Sequence, residues 1–465
     1  MSGSDGPLDD WAPSPQHILT ELGSVAPTLE SLIVARSTPE RRASGKDVYL
    51  EARTCHEAVS FVPTRSHVTI ESGAAEPTGL TSALFARRAE LDEVVISAGL
   101  LLSGYDFLSD QGPFRLRSWF PPTSTTGTAS PPGFAYIPLT WMQVSGYLRR
   151  SRPDIALIQV SPANRDGWCS FGVSASHTRA MVDSASLVIA EVNENMPTTF
   201  GNSRIHKSEI DVIVHVAHDL HIFPRRSSDT IGAIVAETVA SLVPKTCLLQ
   251  LGIGAIPDGV ARVLARRGDR VDIRLLSQLS DAGRELLDAI GSDNGQSPHA
   301  VVGEIAGSLD LYRWAANNFE VAMADVDEMQ KFVDKSASYP LVTVNSALEI
   351  DLFGQVNTEF LESRQIGLIG GCMDFASASR ARDENLFITA LKSLTSSGHS
   401  RIVPRLQDPV SIPRSLVHIL VTEHGVANLR DLTVAERAKA IASLADPIHR
   451  EILLTAAAQI QERLG

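Results

Sequence analysis

Polar residues gather at the ends of apolar runs in this 465-residue chain, and several of those places could do chemistry. In LLQLGIGAIPDGV (248–260) an apolar run enters a turn at Gly252 and Gly254, with a helix-compatible run behind Pro257. Backbone N–H groups in such a turn, here those of Gly252, Ile253, Gly254 and Ala255, can hold a phosphate or form an oxyanion hole at a carbonyl. A tight strand-to-helix turn also needs glycine for steric reasons alone. In IRLLSQLSDAG (273–283) the apolar run Ile273–Leu276 reads as the end of a buried strand and stops at Ser277, Gln278, Leu279, Ser280 and Asp281. Ligands of open α/β sheets collect at the carboxyl ends of strands, which makes Gln278 a candidate site residue. VTEHGVANL (421–429) ends another run with Glu423 and His424, a carboxylate and an imidazole suited to proton transfer. His424 reads equally well as a buried, hydrogen-bonded histidine.

A further polar stretch, EIDLFGQVNTE (349–359), precedes GLIGGCMDFASASR (367–380) and its Gly370–Gly371 pair. Glu349, Asp351, Gln355, Asn357 and Glu359 stand there among residues that look buried, so they form either a site or a paired network that fixes loops. Asn345 lies just before them and could hydrogen-bond beside the glycine turns. No group of His, Cys and carboxylate residues has metal-ligand spacing, and no metal is implied.

The elements that would position these residues are legible as Val- and Ile-rich runs with little strict alternation, which suits strands buried on both faces of a parallel sheet. The first series is HVTIES, DEVVISAGL, DIALIQVS, ASLVIAEVN and IDVIVHV. HDLHIFPRRSSDT (218–230) interrupts the pattern, and Asp229 can cap the apolar helix that follows. A second series then runs from TCLLQLGIG to VHILVTEHG. The expectation is an α/β protein: a mobile tail over 1–15, one α/β domain over 16–222, a related one over 228–465, and a ligand cleft between them.

A net charge of −13 with no long Lys or Arg block argues against a nucleic-acid partner. No apolar run reaches the roughly 18 residues that a membrane span needs. The start of the chain is acidic and rich in Pro, Gly and Ser, unlike a signal peptide. Cys55, Cys169, Cys247 and Cys372 are dispersed without CxxC spacing and read as reduced thiols. A cytoplasmic protein is expected.

GAAEPTGL (73–80), SPANRDGWCSFG (161–172), EVNENMPTTFGNS (191–203), GIGAIPDGV (252–260), NSALEIDLFGQVN (345–357), GGCMDF (370–375), SRIVP (400–404), VTEHGVANL and AERAKAI (435–441) follow one another in a recognisable order. The chain resembles the acetyl-CoA hydrolase and acetate or 4-hydroxybutyrate CoA-transferase family, a branch of the class I CoA-transferases, from about residue 60 to its end. The resemblance implies two related α/β domains, CoA or acyl-CoA bound chiefly by the second, and a homodimer. It also implies a catalytic glutamate that attacks the acyl-CoA carbonyl and becomes a glutamyl-CoA thioester.

That glutamate lies in a stretch resembling His-Ser-Glu-Met-Phe-Ser-Asp-Gly, which falls on Leu276 to Gly283 and puts Gln278 at the nucleophile position. A primary amide carries no charge, and its nitrogen lone pair is delocalised, so Gln278 is suited to hold a carbonyl rather than to attack one. Two explanations compete: a deliberate laboratory substitution of that glutamate that traps a bound acyl-CoA, or natural divergence. The neighbourhood favours divergence, because Leu276 stands where the family has histidine and PKTCLLQ, CM and RD depart from its pattern nearby. Three outcomes follow. The acyl group passes directly from CoA to a small-molecule or carrier acceptor, with Glu423 or His424 as base. Alternatively Glu423 or Glu349 replaces the nucleophile and CoA transfer or hydrolysis continues. In the third case acyl-CoA is bound without reaction.

Overall fold

The computed structural model describes residues 49–122, 131–223, 228–267, 272–291, 298–335 and 339–464. The tail expected over 1–15 and residues 224–227 of the interrupting segment lie outside the described residues. The chain forms two compact units. The first comprises residues up to Ile137, Gln143–Thr199 and Ser203–His221; the second comprises Pro138–Met142, Phe200–Asn202 and Ile222 onward.

Among the described residues of the first unit, eight strands pair in parallel. Their order is Leu50–Ala52, Val212–Val216, Leu187–Asn193, Ile155–Val160, His67–Ile70, Val94–Ala98, Phe114–Ser118 and Phe134–Tyr136. Two inner strands, Leu187–Asn193 and Ile155–Val160, are buried along their whole length, which accounts for their lack of strict apolar and polar alternation. Buried polar groups on them are paired, as burial demands. Glu191 accepts hydrogen bonds from the N–H groups of Gly79 (3.3 Å) and Leu80 (2.9 Å) at the start of helix Thr78–Ala86, where an anion satisfies otherwise unpaired donors. His218 Nε2 makes a short contact to the same carboxylate.

In the second unit the sheet order is Gly425–Asn428, Ile419–Thr422, Leu386–Ala390, Leu341–Ser346, Thr246–Leu251, Asp272–Leu279, Ala300–Ile305, Val321–Met323 and Phe200–Gly201. Every neighbouring pair is parallel except the first, an antiparallel hairpin. Helices Thr230–Leu242, Ala255–Arg266 and Asp281–Ile290 pack in sequence against one another. Leu248, Leu276 and Val301 of the sheet join Met329 of helix Val326–Lys335 and Phe375 of helix Cys372–Ala378 in one core cluster. Each run that the sequence marked as a strand contains one. Leu386–Ala390 was not marked, being a short apolar stretch close behind the charged residues Arg380, Arg382, Asp383 and Glu384.

The strand expected to end at Leu276 continues to Leu279. The reason is its ladder: it pairs with Thr246–Leu251 as far as Leu276 and with Ala300–Ile305 as far as Leu279. Backbone pairing on one side carries the strand through Ser277 and Gln278, whose polar side chains signalled a stop.

The hydrogen bond to Glu191 raises the pKa of His218, against a lowering by burial. A raised imidazole pKa stabilises the fold fully below the unfolded value of about 6.5 and loses that contribution as pH rises through the folded pKa. Between pH 6 and pH 9 the denaturation midpoint of the parent should therefore fall further than that of His218→Gln. Parallel pH profiles for the two proteins would show that the pair adds nothing.

Candidate active site at the carboxyl edge of the second sheet

The glycine turn is anchored by two amides. Asn345 Nδ2, from Leu341–Ser346, donates to Gln250 Oε1 at 3.0 Å, and Gln250 Nε2 lies 3.5 Å from Asn345 Oδ1; both residues are buried. Gly252 donates its N–H to Val344 O at 2.9 Å, and a Cβ at that position would stand 3.2 Å from Asn345 Oδ1, a tighter approach than an ordinary van der Waals contact. Gly254 has φ +144° and ψ 174°, a conformation open to glycine alone, and helix Ala255–Arg266 starts behind it. Pro257 sits in the first turn of that helix, where its missing N–H costs nothing. Ile253 at the tip is 55% exposed.

Gln278 lies one strand away, partly exposed, and its Nε2 donates to Leu251 O at 3.1 Å. One amide hydrogen thus fastens the side chain to the glycine turn, and the other hydrogen and Oε1 are left for a ligand. Just before it, Ser277 adopts φ +80°, in the left-handed region that side chains other than glycine seldom occupy. Just after it, Ser280 caps helix Asp281–Ile290 by accepting from Gly283 N–H at 3.2 Å, and its hydroxyl donates to Asp258 Oδ1 at 2.9 Å. Burial raises the Asp258 pKa and the Ser280 hydrogen bond opposes the rise. Asp281 accepts from the Ser308 hydroxyl at 2.6 Å and the Ser308 N–H at 3.1 Å. The Ala255–Arg266 and Asp281–Ile290 helices begin beside the strand ends, and their N-termini make this edge favourable for developing negative charge.

Gly252, Ile253, Gly254, Ala255, Asn345 and Gln278 are therefore neighbours, and the other candidates are not part of that cluster. Glu423 and His424 form the two-residue loop of the Ile419–Thr422/Gly425–Asn428 hairpin. That hairpin is four strand spacings from Gln278, roughly 19 Å along the sheet. Both Glu423 oxygens are held by Ser393, from its N–H at 2.9 Å and its hydroxyl at 2.6 Å. His424 Nε2 is buried, 3.8 Å from Glu423 and 3.6 Å from Asp446. Gly370 and Gly371 precede helix Cys372–Ala378, where Gly370 O accepts from Trp141 N–H and Asp374 is held by Thr140 and Met142. Glu349 lies in a small separate sheet, with Asn357 Nδ2 at 3.4 Å, and burial raises its pKa.

The sequence reading missed Glu304. The register between Asp272–Leu279 and Ala300–Ile305 shifts after Ser277, which pairs with Val302, so that Gln278 pairs with Glu304 and Gly303 is passed over. The available signal was Gly303 followed by a charge inside an apolar run, since glycine within a strand often marks a bulge. Nearby, burial pushes the Tyr312 hydroxyl up to about 12, an N–H from Gly307 opposes the rise, and Asp281 and Glu304 add to it. The cysteines do not offer a nucleophile: all four are free, burial pushes Cys247 up to about 12, and it raises Cys372 as well. Among the described residues no group of three or more His, Cys, Asp or Glu side chains could hold a metal, and no helix is long and apolar enough to cross a membrane.

The α/β fold with parallel sheets is shared with solved structures. The chain is similar to RipA from Yersinia pestis (27% identity, TM-score 0.79, covering 89% of this chain and 98% of that one). It is also similar to a 4-hydroxybutyrate CoA-transferase from Porphyromonas gingivalis (27%, TM-score 0.70, 89% and 98%). By sequence it is 34% identical to the 4-hydroxybutyrate coenzyme A transferase of Clostridium kluyveri, over 88% of this chain and 98% of that protein. Residues 38–223 match the acetyl-CoA hydrolase/transferase N-terminal domain and residues 307–457 the C-terminal domain. The chain belongs to the acetyl-CoA hydrolase/transferase family, whose enzymes use CoA thioesters as substrates. Gln278 and Glu304 both lie in the stretch between the two matched regions.

Gly254 tests how far the turn depends on backbone conformation. The nearest atoms to an added Cβ are 3.8 Å away, so Gly254→Ala meets no clash and suffers only the forbidden φ/ψ. It should lose about 1–3 kcal/mol of stability in denaturant unfolding. An unchanged midpoint would mean that the turn relaxes freely.

Proposed function

We propose that this protein transfers the acyl group of a CoA thioester directly to an acceptor other than CoA, an amine, alcohol or carrier thiol, without a glutamyl-CoA intermediate. The acceptor heteroatom bonds to the acyl carbon, the C–S bond breaks, CoA leaves as the thiolate, and the acceptor's proton passes to a protein base. The N–H groups of Ile253, Gly254 and Ala255 would stabilise the oxyanion, the Gly252 N–H being taken by Val344 O; Gln278 would position the carbonyl, and Asn345 would fix the turn. CoA contacts at Gly370 and Gly371, a homodimer and a cytoplasmic setting belong to the same reading.

The observation that carries it is Gln278, an amide at a strand end tied to the glycine turn, at the position where the family resemblance leads one to expect a carboxylate. Amide nitrogen is too weak a nucleophile to open a thioester, whereas positioning and electrostatic stabilisation need no covalent intermediate. A second reading is CoA transfer between short carboxylic acids through another carboxylate, which the names of the similar CoA-transferases favour.

Incubation with acetyl-CoA and a panel of amines, alcohols, thiols and carboxylates separates the two, and binding without turnover would leave neither. Gln278→Glu adds a further test. The replacement is nearly isosteric, so carboxylate-dependent CoA exchange and a borohydride-reducible adduct at residue 278 should appear in the variant and be absent from the parent. Recovery should be partial, because Leu276 and Ala282 have diverged with it. A variant that binds acetyl-CoA as the parent does but forms no adduct would show that residue 278 is not aimed at the thioester.

A further inference from the structure

The direct-transfer reading needs a base close to Gln278, and Glu423 and His424 are four strands away. The neighbouring strand supplies a carboxylate. Paired residues of adjacent strands stand ~4.8 Å apart with side chains leaving the same face, and Gln278 is paired with Glu304. Uninterrupted register would instead place Gly303, which has no side chain, beside Gln278. Passing over Gly303 is what brings a carboxylate to this point. Glu304 is partly exposed and is the one charged residue in Ala300–Ile305, a strand otherwise buried.

We propose that Glu304 is the base of this site, taking the proton of the acceptor as the acceptor attacks the thioester carbonyl. The proposal rests on the direct-transfer reading. As the acceptor O–H, N–H or S–H bond breaks, the proton goes to a Glu304 oxygen while the C–S bond breaks to release CoA thiolate, and Glu304 then returns the proton to the thiolate. The neutral amide at 278 is part of the arrangement. A carboxylate at 278 would set two like charges side by side, whereas the amide places no charge beside Glu304. Base and carbonyl-positioning group thus occupy adjacent strands at the same register.

The test uses the full chain with acetyl-CoA and whichever acceptor supports turnover. Glu304→Gln should lower kcat for acyl transfer by about 100-fold or more with the Kd for acetyl-CoA unchanged. In the parent, carbodiimide-driven amine coupling at Glu304 should be suppressed by saturating acetyl-CoA, a measurement that needs no folded variant. Undiminished transfer in Glu304→Gln, or coupling at Glu304 indifferent to acetyl-CoA, overturns the assignment and leaves direct transfer standing. A CoA adduct on Glu304, or a parent that turns over no acceptor, overturns both.

Discussion

The ladder between Asp272–Leu279 and Ala300–Ile305 loses its register after Ser277, and the character of the second sheet's edge depends on that one irregularity. Ser277 takes a left-handed φ, Gly303 is passed over, and Glu304 comes to stand beside Gln278. A bulge re-aims the residues that follow it and ends regular pairing, here at the carboxyl edge where helix N-termini concentrate positive potential. The Gln278 amide then joins the bulge to the glycine turn through Leu251 O, and the Gln250–Asn345 pair joins the turn to the next strand. Three adjacent strands are in this way coupled by side-chain amides, groups that hold geometry without bringing charge.

Carboxylates elsewhere in the chain show what a structural acid looks like. Glu191 receives two N–H groups at a helix start, Glu423 is clasped by Ser393, and Asp374 is held by Thr140 and Met142. Each accepts from donors that burial would otherwise leave unpaired. Glu423 was the more conspicuous acid in sequence, standing beside a histidine before a glycine, yet that pattern is the tip of a tight hairpin. Residue type at the end of an apolar run identifies a strand end without saying which strands are neighbours.

That distinction sets what could be read in advance. The parallel α/β class, the strand runs and the glycine turn were legible because burial on both faces and a tight strand-to-helix turn leave direct marks on composition. Gln278 stood out because a resemblance supplied an expected glutamate. Strand order was not legible, so Glu423 and His424 were grouped with residues that lie four strands away. The pairing of Gln278 with Glu304 was equally hidden, because register is settled between strands 26 residues apart and only Gly303 hinted at it. Nor did the sequence show that Pro138–Met142 and Phe200–Asn202, short stretches inside the first half, belong to the second unit.

The central claim is that acyl transfer here passes through no enzyme-bound CoA thioester, and isotope exchange tests it most directly. An isotopically labelled carboxylic acid is incubated with the protein and the unlabelled CoA thioester of the same acid, with no other acceptor present. A glutamyl-CoA enzyme releases the acid, recaptures labelled acid from solution and moves the label into acyl-CoA. Direct transfer to a non-CoA acceptor predicts no enzyme-dependent label in the acyl-CoA pool, even while the same preparation acylates its acceptor. Exchange at a rate comparable to turnover would contradict the account.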